Sequence, residues 1–390
     1  MTQGTASRTV YYASIGPALT WFDLDVDGAT LTRQGTVTLP ANIQYAWPHP
    51  SRRTLYVVSS NGGPGIAGDK HFASALAIDP ATGALRLYGN PAVLPSRPIH
   101  TTVDAKGEYL LTAYNNPSNL TVHRVAADGT VGAPVAQSDN LDTGIFAHQV
   151  LVAPGNRIVM LVTRGNNASA GTPEDPGAIK TFAFNDGVLT NLASIAPGNG
   201  PRAGFGFGPR HLDFHPTKPW VFVAIERQNK LYVYKLDADA GLARVPMFIK
   251  DTLADPASKA PQGAGAIHVH PNGRFVYVTN RTFPASGPGA REIAAGGENS
   301  VAVFAVDQTT GEPQRIQNID GRGLQLRTFA IDPSGRTLAV ASIMSLKDGT
   351  LPAGITVMRI AADGRLSFVR KYDVDVGDVQ QFWSGMVTLG

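Results

Sequence analysis

The sequence predicts an all-β fold: seven four-stranded units closed into a seven-bladed β-propeller. Three observations predict it. A phrase built on a tight Pro/Gly turn recurs six times, a second phrase of an alternating strand and an acidic or Gly turn recurs seven times, and the two ends of the chain hold complementary half-units. Composition agrees, because 42 Gly, 28 Pro and only 16% charged residues in 390 point to many turns between short segments. An apolar fraction of 43% supplies a sizeable core. Length alone, at roughly 150 residues per domain, would suggest two or three domains. The repeat overrides it and predicts one domain over residues 1–390.

The first phrase begins as His49-Pro50 followed by Thr54-Leu55-Tyr56-Val57-Val58, and returns as Asp104-Ala105-Lys106-Gly107 and Ala153-Pro154-Gly155-Asn156-Arg157. It continues as His215-Pro216 before Val221-Phe222-Val223, His270-Pro271-Asn272-Gly273-Arg274 before Val276-Tyr277-Val278, and Asp332-Pro333-Ser334-Gly335-Arg336 before Leu338-Ala339-Val340. The spacings are 55, 49, 62, 55 and 62 residues. Each copy joins an apolar stretch to a β-branched one through a turn, the pattern of a hairpin. The second phrase is clearest in Val301-Ala302-Val303-Phe304-Ala305-Val306-Asp307; its first copy covers 19–28 and its last 355–364. Thr9-Val10-Tyr11-Tyr12-Ala13-Ser14 matches the second strand of a unit, and the stretch from Phe382 to Leu389 supplies the inner strand missing from it. Independent β-sandwiches would not predict a fixed period with matching halves at both ends.

Several function classes are excluded. With no cysteine there is no disulfide, thiol nucleophile or Cys-ligated metal. Lys and Arg number 33 against 30 Asp and Glu, and no basic run marks a nucleic-acid or membrane surface. No apolar run approaches the ~18 residues of a membrane span. The first eight residues lack the layout of a secretory signal. A soluble cytoplasmic protein, monomeric or a small homo-oligomer, is expected, without nucleic-acid or membrane partners.

Propellers work at the mouth of the central channel, where inner strands begin. Five places before the residue that precedes each turn proline, the repeat holds Gln44, Ile99, His148, Arg210, Gly265 and Arg327. Antiparallel pairing returns the end of the second strand to the same rim. Eleven places after that residue stand Ser60, Asn115, Arg164, Glu226, Arg281 and Ile343. An apolar core would not place His, Glu and Arg in these slots. The long insertions at 61–70, 165–177, 197–209, 283–298 and 345–353 fall on this face too, and loops longer than about 12 residues are uncommon without a function.

His49, His215 and His270 share a slot with Asp104 and Asp332 and read as turn residues. His211 and His268 are either core histidines or contributors to the site, and His100 lies one step from the first slot. Glu226 among arginines is either a structural ion-pair network or part of the chemistry. Gly204-Phe205-Gly206-Phe207-Gly208 lacks the strand-then-helix setting of a phosphate loop and reads as a flexible loop bordering the rim. No Gly-x-Ser-x-Gly or His-Glu-x-x-His occurs, and a ring rich in Arg disfavours a cation, so no metal and no cofactor are expected.

The constellation supports acid/base catalysis on an anionic substrate, a small lactone or its open-chain acid. His148 serves as the base, Arg210 and Arg281 hold the anion and the developing oxyanion, and Glu226 orients His148 or moves a second proton. Arg327, His211, His268, Arg164, Gln44 and His100 are candidates for substrate binding. A non-catalytic binding scaffold is the competing reading.

Gly208-Pro209-Arg210-His211-Leu212-Asp213-Phe214-His215-Pro216 with Ala224-Ile225-Glu226 resembles a block of the 6-phosphogluconolactonase-type lactonase family of seven-bladed propellers. Further matches are Ala266-Ile267-His268-Val269-His270-Pro271-Asn272-Gly273-Arg274, Asn280-Arg281 and Arg327-Thr328-Phe329-Ala330-Ile331-Asp332-Pro333. The chain is also similar to 3-carboxy-cis,cis-muconate lactonizing enzymes, which makes a cycloisomerase the alternative activity. The resemblance implies a metal-free site whose His/Glu pair and two arginines correspond to His148, Glu226, Arg210 and Arg281. Ile225 stands where the family pattern has Asn, and the loops at 165–177 and 283–298 are longer. With no Lys placed at the rim, carboxylated or unphosphorylated lactones stand beside sugar phosphates as substrates.

Overall fold

The structure is a computed structural model and describes residues 8–169, 171–198, 200–239, 241–283, 297–346 and 348–389. Seven antiparallel sheets form the ring. The first blade runs outward through Asn42–Pro48, Thr54–Ser60, His71–Ile78 and Leu85–Val93. The next five begin with the inner strands Pro98–Val103, Ala147–Val152, Pro209–Phe214, Gln262–Val269 and Leu324–Ile331, which meet around the channel. In the fourth blade, two short segments, Gly241–Leu242 and Phe248–Asp251, share the pairing to Lys230–Asp237. The seventh blade closes the ring as expected: Ser384–Leu389 is its inner strand and pairs with Arg8–Ile15, with Arg8 opposite Leu389 and Ala13 opposite Ser384.

Strand composition follows position in the blade. Second strands are covered on both faces by neighbouring blades, so Trp220–Ile225 and Thr337–Met344 are buried along their whole length. The outer strand Leu366–Val374 has mixed burial because one of its faces meets water. Between the third and fourth blades, Met160, Val162, Val221, Val223 and Tyr234 form one cluster. Burying each aliphatic side chain there contributes about 1.5–3 kcal/mol.

Repeated polar ties align the blades. Tyr12, Tyr56 and Tyr277 donate from their hydroxyls to the carbonyls of Gly83, Gly129 and Gly364, each in the next blade's outer turn, at 2.8–2.9 Å. The turn histidines act at the same end, beside these tyrosines: the His49 and Tyr56 ring centres are 6.3 Å apart. Nε2 of His49 lies 3.1 Å from the Gly107 carbonyl and that of His270 lies 2.9 Å from the Gly335 carbonyl. His49 and His270 are therefore turn residues that also link blades. Gly107 has φ +79°, and a Cβ on it would sit 2.1 Å from the His49 ring, so both conformation and space require glycine. No helix among the described residues is long and apolar enough to cross a membrane.

Candidate active site

The first rim slot has a common structural cause. Gln44, Ile99, His148, Arg210 and Arg327 each sit at a register shift between inner and second strand, flanked by Ile43/Tyr45, Pro98/His100, Ala147/Gln149, Pro209/His211 and Leu326/Thr328. In the fifth blade the shift spans Gly265 and Ala266. A bulge residue is released from the ladder and its side chain re-aimed. Five blades thus present one unpaired residue each to the channel, and in three of them it is His148, Arg210 or Arg327.

The positions two residues earlier carry a second regularity. Phe146, Gly208 and Gln325 have φ of +58°, +55° and +56°. The left-handed turn leads the chain into the bulge at a cost of about 1–2 kcal/mol for a residue with a Cβ. Arg97 occupies the same slot in the second blade.

These residues surround a cavity of about 600 Å³. Its wall includes Arg97, His148, Arg164, Glu226, Arg281 and Arg327, together with Asn115 and Ile343 from the second slot. Residues 63–67 of the 61–70 insertion overhang it. That segment is a tight turn with Pro64 and Gly65 at its tip, closed by two bonds of 2.9 Å between Gly63 and Ile66. Of the insertion at 283–298, Phe283 lines the cavity and residues 284–296 lie outside the described residues.

Glu226 is 3% exposed and held between two guanidiniums. Arg281 bonds its Oε1, and Arg164 is 3.4 Å from Oε2. Burial by itself would raise the Glu226 pKa, but Arg281, Arg164 and Arg210 outweigh it and bring the carboxyl down to about 2. Three cavity arginines lie against phenyl rings: Arg327 over Phe382 at 3.7 Å, Arg164 over Phe146 at 4.4 Å and Arg281 over Phe283 at 5.8 Å. Arg97 lies 5.8 Å from Phe382, and its Nε donates to Oε1 of Gln44 at 2.9 Å.

His148 is buried among these charges. Burial first, then Arg210, Arg327, Arg164 and Arg281, hold its pKa well below the usual histidine range. It is therefore a neutral imidazole at pH 7, and its Nδ1 is buried without a hydrogen-bond partner. Arg210 is 1% exposed, with Nε and Nη1 likewise unpartnered, and burial followed by Arg281 brings its pKa to about 9. It stays charged at neutral pH.

The sequence candidates divide by place. His148, Glu226, Arg281, Arg327 and Arg164 line the cavity, and Arg210 is packed behind it. Gln44 positions Arg97 and lies outside the cavity wall. His211 and His100 lie in the channel beside His148, with ring centres 5.1 Å from His148 to His211 and 5.8 Å from His211 to His100. His268 is further along, with Nδ1 3.5 Å from Oδ2 of Asp213. Glu226 commits its oxygens to Arg281 and Arg164, and among the described residues no hydrogen bond joins it to His148. The expected Glu226–His148 orientation is accordingly replaced by Glu226 fixing two arginines.

The stretch from Gly204 to Gly208 is tied down at several points. Phe207 is buried in the core between blades, Glu174 accepts from the Gly206 N–H at 2.6 Å, and Gln228 donates to the Gly206 carbonyl at 2.9 Å. Arg97 and Phe146 were not selected by the two slots used on the sequence. A further backward step of two places from the first slot would have found both. Among the described residues, no group of three or more His, Asp and Glu is arranged to hold a metal.

Residues 5–374 match the family model described as "Lactonase, 7-bladed beta-propeller". The 6-phosphogluconolactonase of Bacillus subtilis (strain 168) is 28% identical over 317 residues, 80% of each chain. That of Pectobacterium carotovorum subsp. carotovorum (strain PC1) is 30% identical over 301 residues, 75% of this chain and 79% of its own. Among solved structures, a Lactobacillus plantarum protein superposes with a TM-score of 0.74 at 24% identity over 99% of this chain and 100% of its own. The periplasmic gluconolactonase of Pseudomonas aeruginosa gives 0.70 at 19% identity, covering 99% of each chain.

Proposed function

Because this chain belongs to the family of seven-bladed β-propeller lactonases, we propose that it hydrolyses an anionic lactone in the Arg-lined cavity by metal-independent acid/base catalysis. One observation carries the reading: a neutral imidazole, His148, borders a cavity whose wall, among the described residues, holds four guanidiniums, Arg97, Arg164, Arg281 and Arg327, and one carboxylate, Glu226. Buried charge in such excess is favourable only when a ligand balances it. A substrate bearing a phosphate or more than one carboxylate does so, and the 6-phosphogluconolactonase relatives are named for a phosphorylated lactone. A doubly charged substrate does not cross membranes unaided, which fits a cytoplasmic place of action.

In this mechanism His148 takes a proton from water as the oxygen adds to the lactone carbonyl carbon. Arg281, fixed by Glu226 in the cavity wall, stabilises the oxyanion, and Arg210, packed behind the wall, adds its positive charge. The ring C–O bond then breaks, and the departing alkoxide recovers the proton from His148. Glu226 stays ionised throughout. The surplus of positive charge repels a divalent cation, which supports hydrolysis without a metal.

The deciding test is a pH-stat assay over sugar lactones, 6-phosphogluconolactone and muconolactones, comparing wild type with His148→Ala and Glu226→Ala, with and without chelator. Turnover of one anionic lactone, lost in both variants and indifferent to chelator, supports the reading. A folded wild type that turns over none of the panel overturns it and favours a binding scaffold.

A further inference from the structure

Ring closure builds a second pocket beside the cavity. Gly16 after the strand Arg8–Ile15, Asn42 and Gln44 at the start of the first blade, and residues from 376–382 leading into the closing strand surround a space of about 440 Å³. Its walls are tied together: the Gln380 carbonyl accepts the Gly16 N–H at 3.1 Å, and the Gly16 carbonyl accepts the Ile43 N–H at 2.9 Å. Gly63, Pro64, Ile66, Met344, Gln380 and Phe382 line both this pocket and the Arg-lined cavity, so a single layer of residues stands between the two. That layer is anchored at the base of the 61–70 insertion, where the Asn61 side chain accepts the N–H groups of Asp69 and Lys70 at 3.0 and 2.9 Å. Gln44 also links the two spaces, since it lines the pocket and holds Arg97 of the cavity wall at 2.9 Å.

We propose that this pocket is a second substrate site, which takes a neutral, polyhydroxylated substituent, a glycosyl group, carried by the lactone in the cavity. The proposal rests on the hydrolase reading above and narrows its substrate class to an anionic lactone extended by a sugar. The pocket's volume falls within the roughly 300–1,000 Å³ of small-molecule sites. Its charge is opposite in character to the cavity's. Four guanidiniums stand in the cavity wall, whereas among the described residues no Lys or Arg lines the pocket and Asp378 is its one carboxylate. A second phosphate or carboxylate would meet Asp378 there with no cation beside it. The charged part of the substrate therefore belongs in the cavity and a neutral part in the pocket.

The polar groups of the pocket suit hydroxyls. Asn42, Gln44, Asp378 and Gln380 all line it. Asn42 and Gln380 spend their backbone carbonyls on Gln44 and Gly16, and among the described residues no hydrogen bond engages their side-chain amides. An amide presents a donor and an acceptor side by side, and each sugar hydroxyl can act as either, so neighbouring hydroxyls match it. A hydrocarbon tail would instead cover these amides and leave their hydrogen bonds to water unreplaced. Ile66 stands at the shared lip with 65% of its surface exposed, where a substituent passing from cavity to pocket would cover it.

The test measures, by calorimetry, the binding of gluconate and of its 4-O-glucosyl derivative maltobionate to wild type, Asn42→Ala and Val379→Trp. The two acids carry the same single carboxylate and differ by the neutral glucosyl group. Asn42 and Val379 line the pocket and not the cavity. One variant removes an amide and the other fills the space from a half-buried turn position, so either reports if the other fails to fold. Wild type should bind maltobionate about tenfold more tightly than gluconate, and each variant should bring maltobionate to the level of gluconate while leaving gluconate unchanged. N-hexanoylhomoserine, with a hydrocarbon tail on a single carboxylate, should bind no more tightly than gluconate. Equal binding of the two sugar acids, a preference that both variants retain, or tighter binding of N-hexanoylhomoserine than of maltobionate overturns the second site and leaves the hydrolase standing. A wild type that turns over no lactone of the panel overturns the hydrolase, and the difference between the two acids still decides the pocket.

Discussion

Arg281 and Arg164 approach Glu226 from two blades and take one carboxylate oxygen each, with Arg164 at 3.4 Å. The folded carboxyl titrates near 2, against an ordinary value of 4.5. A lowered carboxyl pKa gives stability that is present above the unfolded value and lost as pH falls through the folded one. Wild type should thus lose stability, of order a few kcal/mol, between about pH 4.5 and pH 2. Glu226→Gln should be less stable at pH 7 by about 3 kcal/mol, since it leaves buried guanidiniums uncompensated. Urea midpoints of both proteins across pH should converge on the acid side; parallel curves would contradict the pairing.

In the proposed reaction His148 works unprotonated, and its surroundings depress its pKa. The acid limb of kcat/KM should therefore lie below the usual histidine value of about 6.5, leaving activity level from pH 7 downward until that limb is reached. His148→Ala should lower kcat about 100-fold or more. A limb above the usual histidine value would mean a different base.

Arg97 and Arg327 share Phe382 and, among the described residues, have no carboxylate of their own in the cavity beyond Glu226. Arg97→Met should raise KM for a phosphorylated or carboxylated lactone roughly tenfold while changing that for a neutral lactone little. Gln44→Ala, which frees Arg97 from its 2.9 Å bond, should show the same selectivity at smaller size. Equal effects on charged and neutral lactones would place the anion elsewhere.

Gly107 has φ +79° and touches the His49 ring. Gly107→Ala should cost about 1–3 kcal/mol in unfolding free energy, read from the urea midpoint, with KM unchanged because the turn lies at the end of the blade away from the cavity. A variant as stable as wild type would show that the turn does not need glycine.

The ring and its closure were legible because a hairpin turn needs particular residues at a particular place, and six copies make the period visible. The bulged slot was legible for the same reason: His148, Arg210 and Arg327 stand at one offset from turns that sequence alone locates. Arg97 was missed although it obeys the same offset logic, because the search stopped where strands begin and the cavity wall extends two residues earlier. Glu226 and the arginines around it were found, but how they pair was not. Which guanidinium reaches which oxygen depends on side-chain rotamers across three blades, and no periodicity encodes that. His211, His100 and His268 were set in one group with the substrate contacts, although their offsets of one, one and three residues from the first slot already separate His268 from the other two.

Pairing residue 8 with residue 389 also has a consequence for how the molecule is made. On the ribosome, the strand Arg8–Ile15 emerges among the first and waits for Ser384–Leu389, so six blades can assemble while the ring stays open. Until the late strand is released, the backbone of Arg8–Ile15 and the flank of the first blade expose unpaired edges to other chains. The time taken to translate from Arg8–Ile15 to Ser384–Leu389, rather than early folding, then sets how long each nascent chain is exposed to mispairing.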